Sequence, residues 1–282
     1  MISKAPAEKA ALAGEAKVNS SRTEPGRYFL RATMAGVYLS LVVMVYWALI
    51  EGLRASPFGK VIGSAFFGVG LMIIVFTRTE LFTSNCFYVA VSTWAGKTTR
   101  LGALRVLATS WLGNLAGALL LGMLLHGAGT FGALGESHAL FTGALHKTEL
   151  AAAPLFWRGV LANFVVCLAI WVALQLREEL ARLVAIVLVV FVFLYLGFEH
   201  SIANMGTFCF SLLGNGPATF GGTLRNLALS TLGNLAGGAV LVGLTTAYLE
   251  GLPRRQPLKE PLKERRVRPQ AEEQAPPAKP AV

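Results

Sequence analysis

The stretch "LVAIVLVVFVFLYLGFEHSIANM" covers residues 183–205. It opens as a nearly unbroken apolar run, and then Glu199, His200 and Asn204 arrive where hydrocarbon would favour leucine. Hydrocarbon offers no partner to a backbone N–H or C=O. A break inside a membrane helix is therefore tolerated only where it lines a polar cavity or is buried in protein. The stretch predicts such a broken helix.

Composition agrees with a membrane protein that crosses the bilayer several times. Of 282 residues, 54% are hydrophobic and 14% charged, against about 25% charged in soluble domains. Apolar blocks lie at about 31–50, 57–92, 103–126, 155–176, 182–213 and 221–249. Most reach the roughly 20 residues that span a bilayer. The blocks at 57–92 and 182–213 are too long for one simple span, and each contains a polar interruption: "TRTELFTSN" at 77–85 and "GFEHSIANM" at 197–205.

The formal charge of +10 is concentrated at the two ends. Flanking Lys and Arg mark the cytoplasmic side of a membrane protein, so the charge calls for no nucleic acid. Both termini are expected in the cytoplasm, which requires an even number of spans, and six satisfies it. Lys97, Arg100 and Arg105, and then Arg177 and Arg182, mark inner loops. The loop at 127–154 is expected outside, with Lys147 its one strong base. The opening residues contain no apolar core of a secretory signal. The chain thus divides into a cytoplasmic segment 1–27, a six-span domain 28–250, and a basic tail 251–282 that reads as disordered. Cys86, Cys167 and Cys209 show no CxxC spacing and read as small buried apolar residues. No metal or cofactor is expected.

The two halves repeat one another. Glu80 precedes Asn85 as Glu199 precedes Asn204, and "LGNLAG" recurs at 112–117 and 232–237, at nearly the same distance after each break. Each unit has three spans, so the second copy must run in the opposite sense. Inverted repeats with broken helices are a transporter signature, with the site near the midplane. The glycines of "GNLAG" are spaced for close helix packing. Asn114 and Asn234 are expected to point inward and bond the broken segments, because an amide facing lipid is costly.

The strings "ELFTSN" (80–85), "ANFVVCLAIW" (162–171), "GFEHSIANM" (197–205) and "LGNLAGG" (232–238) resemble the formate/nitrite transporter family. The resemblance covers residues 28–250. It implies an all-α, aquaporin-like protomer with six helices in two inverted repeats, the second and fifth broken. It also implies a homopentamer with one pore per protomer. The implied substrates are small monovalent anions or their acids, with protons as co-substrate: formate or nitrite first, then hydrosulfide, acetate or lactate. By resemblance, His200 is the central pore histidine and Thr83 the threonine facing it. Asn163 and Asn234 are amides nearby, Phe67, Leu71, Leu81 and Phe193 narrow the pore, and Lys147 sits in the vestibule. The last span departs from the family pattern, with "NLALST" at 226–231 in place of a proline-containing string. That departure leaves the substrate open.

The residues suggest a mechanism. Half-helix N-termini favour an anion, Lys147 gathers anions at the mouth, and His200 can carry a proton near working pH. Phenylalanine and leucine rings favour a neutral acid, so protonation near the centre is expected. Glu80 and Glu199, with Asn85 and Asn204, are read as structural, each glutamate accepting backbone N–H bonds at its break. His126, His138 and His146 read as solvated residues of the outer loop. A water or glycerol facilitator would show two Asn-Pro-Ala motifs, and "NGPA" at 215–218 is not one. No motif of a membrane enzyme is present.

Overall fold

The structure is a computed structural model that describes residues 5–254. The expected basic tail lies mostly outside the described residues. The described chain is helical: α1 (Ala5–Thr23), α2 (Pro25–Gly52), α3 (Gly59–Phe76), α4 (Phe82–Trp94), α5 (Arg100–Gly127), α6 (Ala139–Glu149), α7 (Ala152–Gln175), α8 (Glu179–Tyr195), α9 (Ser201–Leu213) and α10 (Phe220–Leu235). α10 continues without interruption through a wider π-helical stretch, Ala236–Leu244, into a last turn, α11 (Thr245–Leu249). Five helices are long and apolar enough to cross a bilayer: α2, α3, α5, α7 and the continuous Phe220–Leu249.

Both long apolar blocks break where the polar residues stand. Two residues past α3 stands Arg78 and two past α8 stands Gly197, both left-handed, at φ 55° and 74°. Each end closes in the same way. Arg78 N donates to Val75 O and Thr79 N to Ile74 O, while Gly197 N donates to Leu194 O and Phe198 N to Phe193 O. This pairing satisfies the last carbonyls of a helix and stops it. A short extended link follows, and α4 or α9 then begins.

α2 packs on α5 and α7 on α10 at the repeated glycines. A Cβ at Gly117 would collide with the Thr33 carbonyl, and one at Gly237 with the Val160 carbonyl. Small residues here bring the helix backbones into contact.

Two helices lie outside the apolar blocks. α1, in the segment read as a cytoplasmic lead-in, buries Ala7, Ala10, Ala11, Gly14 and Val18 on one face and packs on α4. α6 falls in the expected outer loop, and His138 caps it by accepting from Leu140 N at 3.2 Å. His138 is therefore a helix cap, because its Nδ1 meets an orphan N–H of the first turn.

Candidate functional site at the two helix breaks

The backbone at each break is held by one asparagine. Asn114 Oδ1 accepts from Phe82 N at 2.9 Å, and its Nδ2 donates to Ala32 O at 2.8 Å and Glu80 O at 3.0 Å. Asn234 Oδ1 accepts from Ser201 N at 2.8 Å, and its Nδ2 donates to Gly159 O at 2.7 Å and Glu199 O at 2.9 Å. The link backbones also match: Glu80 N donates to Arg31 O, and Glu199 N to Arg158 O. Each carboxamide thus meets the first donor of a half-helix and a carbonyl of the link before it.

Glu80 and Glu199 differ from expectation. Their carboxylates take no backbone N–H, because the asparagines already hold those donors. Instead each is neutralised by a lysine. Lys17 Nζ lies 2.6 Å from Glu80 Oε2, and Lys147 Nζ lies 2.8 Å from Glu199 Oε1. The remaining acceptors are met by polar side chains. Tyr28 donates its hydroxyl to Glu80 at 3.0 Å and accepts from Asn85 Nδ2 at 3.1 Å. Glu199 accepts from Asn204 Nδ2 at 2.6 Å and Asn226 Nδ2 at 3.3 Å, and Asn204 also donates to Asn226 Oδ1. A buried carboxylate is tolerable only when paired and hydrogen-bonded in this manner.

The N-termini of α4 and α9 meet at one contact. His200 Nε2 lies 3.0 Å from Thr83 Oγ1. On its other side His200 Nδ1 accepts from Ala203 N at 3.1 Å and caps α9. An Nδ1 that accepts carries no proton, so the neutral ring bears its proton on Nε2 and donates to Thr83. Asn163 Nδ2 pins Thr83 from behind, donating to Thr83 O at 3.1 Å and to Asn234 O at 2.7 Å.

A cavity of about 200 Å³ adjoins His200. Phe193 stacks on the imidazole at 5.6 Å, and Phe67 meets Phe193 edge-on at 5.7 Å. Lys147, Glu199, His146 and Arg158 line the cavity with them. His146 is therefore a wall residue, because α6 folds back over the break. Asn163 and Asn234 are buried beside His200 but are not among the lining residues, and their amides are engaged with backbone. Leu71 and Leu81 are buried in the apolar core, away from this cavity's wall. Lys17, Tyr28, Asn226 and Arg158 were not legible as site residues. Their partners lie far off in sequence, as Lys17 and Glu80 do at 63 positions apart.

A family model described as "Formate/nitrite transporter" matches residues 4–248. The chain belongs to the formate/nitrite transporter family. It is 35% identical over 230 residues to the nitrite transporter NirC of Escherichia coli K12, covering 81% of this chain and 85% of that protein. A solved "FNT family ion channel" superposes with a TM-score of 0.83 at 31% identity, over 88% of this chain and 99% of that one. A second, a "Pentameric formate channel with formate bound", gives 0.68 at 26% identity, over 80% and 97%. Family membership makes the protein a membrane transporter or channel.

Proposed function

We propose that the protein moves small monovalent anions, formate or nitrite first, as their neutral acids through one pore per protomer. The carrying observation is the His200–Thr83 bond, which joins the two half-helix N-termini beside a small cavity. The cavity falls below the roughly 300–1,000 Å³ of drug-sized ligand sites and suits a solute of a few atoms with its water.

The matched bonds at the two breaks support six spans in two inverted three-helix units. Both termini then lie in the cytoplasm and the pore crosses the cell membrane. The solved relative that is pentameric supports a homopentamer here.

An ion in dry hydrocarbon faces a penalty of tens of kcal/mol, and a neutral acid does not. Lys147 draws the anion into the vestibule, while Glu199 beside it makes the lysine a paired and modest attractor. Lys17 and Glu80 play the same part at the other mouth. At the centre, His200 gives a proton only after it has taken one up from water: the imidazolium, whose Nδ1 then releases Ala203 N, passes Nε2–H to the anion and returns to a neutral ring. Thr83, which accepts that proton's hydrogen bond, hands the position over to the arriving anion. The anion leaves as the acid past Phe67 and Phe193 on one side and Leu71 and Leu81 on the other, and the ring is reprotonated through water. Glu80, Asn85, Glu199, Asn204, Asn163 and Asn234 hold the breaks in place.

The test is uptake into proteoliposomes carrying an internal pH dye, with formate, nitrite, hydrosulfide, acetate and lactate offered in turn. Rapid flux that acidifies the lumen is expected, with formate or nitrite fastest. Fast water or glycerol permeation with no acid flux would overturn the reading. A His200→Asn protein should show altered pH dependence, and an unchanged profile would remove His200 as donor.

A further inference from the structure

An apolar groove lies on the outside of the bundle, apart from the cavity beside His200, and ends at the first residue of α4. Its deeper part, of about 700 Å³, is walled by Val89, Ala90, Ala103, Leu104 and Leu244. Its continuation, of about 420 Å³, reaches Phe82, Trp111 and Thr231. Leu104 borders both, so the two form one channel between α5 and the Phe220–Leu249 helix, floored by α4. Along α5, from Arg100 to Trp111, it runs about 16 Å at 1.5 Å per residue. One leaflet's hydrocarbon is about 15 Å deep, half of a 30 Å core.

One end of the groove is charged. Arg100 and Arg254 line it, both are exposed, and neither forms an ion pair among the described residues. The Arg254 guanidinium sits 5.2 Å from the Trp94 ring centroid, and Trp94 Nε1 donates to Leu252 O at 3.2 Å. A half-buried tryptophan beside an exposed arginine is common at the membrane–water boundary. Both arginines fall on the side that their basic neighbours assign to the cytoplasm, where the leaflet is anionic.

We infer that this groove is a binding site for an anionic phospholipid of the cytoplasmic leaflet. Its phosphate lies between Arg100 and Arg254, and one acyl chain runs along α5 to Trp111. The length matches one leaflet, the wall suits hydrocarbon, and the cationic pair suits a headgroup. The chain's own residues 255–282 fit less well, because their seven basic residues outnumber four acidic ones and oppose the arginine pair. At its inner end the acyl chain touches Phe82, the first residue of α4 and the neighbour of Thr83.

Native mass spectrometry of the detergent-solubilised protein, titrated with phosphatidylglycerol or phosphatidylcholine of the same chains, tests this. Phosphatidylglycerol should be retained preferentially. An arginine at an anionic surface contributes about five-fold, so the Arg100→Ala/Arg254→Ala protein should lose that preference by about thirty-fold. Both positions are exposed, so the variant should fold, which its oligomer mass checks. Leu104→Trp should block retention while leaving the oligomer intact. Equal retention of both lipids, or an unaffected double-arginine variant, overturns the proposal. So does loss of the oligomer in Leu104→Trp with lipid retention unchanged, which would make the groove a contact between copies. Full competition by inorganic phosphate would also overturn it, by leaving the acyl chain no part.

Discussion

Replacing Asn234 with alanine removes the three hydrogen bonds its carboxamide makes. The cost can be worked group by group. Gly159 O lies inside α7, where the helix supplies its own donor four residues on, so its loss is small. Ser201 N is the first donor of α9 and has no earlier carbonyl within the helix. Glu199 O belongs to the extended link and has no helical donor either. Two buried backbone groups are thus orphaned, at about 1–3 kcal/mol each, or about 2–6 kcal/mol together. For a chain of this size that lowers the midpoint of thermal unfolding by roughly 4–24 °C. Heating the detergent-solubilised protein and following its monodisperse peak by tryptophan fluorescence reads the shift. Asn114→Ala should fall by a similar amount, since it breaks the same set of bonds. Asn234→Asp should not rescue, because a carboxylate keeps the acceptor for Ser201 but turns oxygen toward the Glu199 carbonyl. An Asn234→Ala protein melting within about 1 °C of the parent, with flux intact, would refute the assignment of this amide as the clamp of the break.

Three further outcomes follow from the same geometry. Thr83→Val keeps the side-chain shape and removes the partner of His200 Nε2; acid flux into proteoliposomes should fall several-fold while unfolding shifts by only about 1–3 kcal/mol. Lys17→Met leaves Glu80 buried without its cation, so it should destabilise more than the Lys17→Met/Glu80→Gln pair, and equal melting of the two would count against the ion pair. Arg78 holds a left-handed conformation on an exposed site, so Arg78→Gly should stabilise by about 1 kcal/mol, raising the midpoint by roughly 2–4 °C.

The breaks were legible because hydropathy and polarity conflict at single positions. A carboxylate after fourteen apolar residues has few physical solutions, and the second break repeats the pattern. Asn114 and Asn234 were legible for the same reason: an amide at a close-packed glycine interface must turn inward. The lysine partners were harder. Glu80 and Glu199 carry no sign of which cation meets them, and backbone N–H was the nearest donor to suppose. α1 was missed because its buried face is built from alanine and glycine. Ala7, Ala10, Ala11, Gly14 and Val18 recur at helical spacing, but they carry little hydropathy, so only the period could have shown the helix. α6 was missed because it is short, eleven residues, and lies in a loop between spans, and with it the approach of His146 to the cavity.

The bonds at the two breaks divide into those that agree and those that do not, and the division has a physical cause. The backbone bonds correspond one for one, asparagine for asparagine and carbonyl for carbonyl. A backbone donor has one fixed direction and position, so only a carboxamide at one place on the opposing helix can meet it while also reaching the link's carbonyl. A carboxylate is less demanding, since its two oxygens accept from several directions. Tyr28 on α2 supplies the bridge at Glu80, whereas Asn226 on α10 supplies it at Glu199. Selection can therefore change the groups around each carboxylate without disturbing the break, and the two carboxylate sites need not be chemically alike. A phenol at one and an amide at the other make the two carboxylate sites chemically different while the His200–Thr83 contact is common to both breaks.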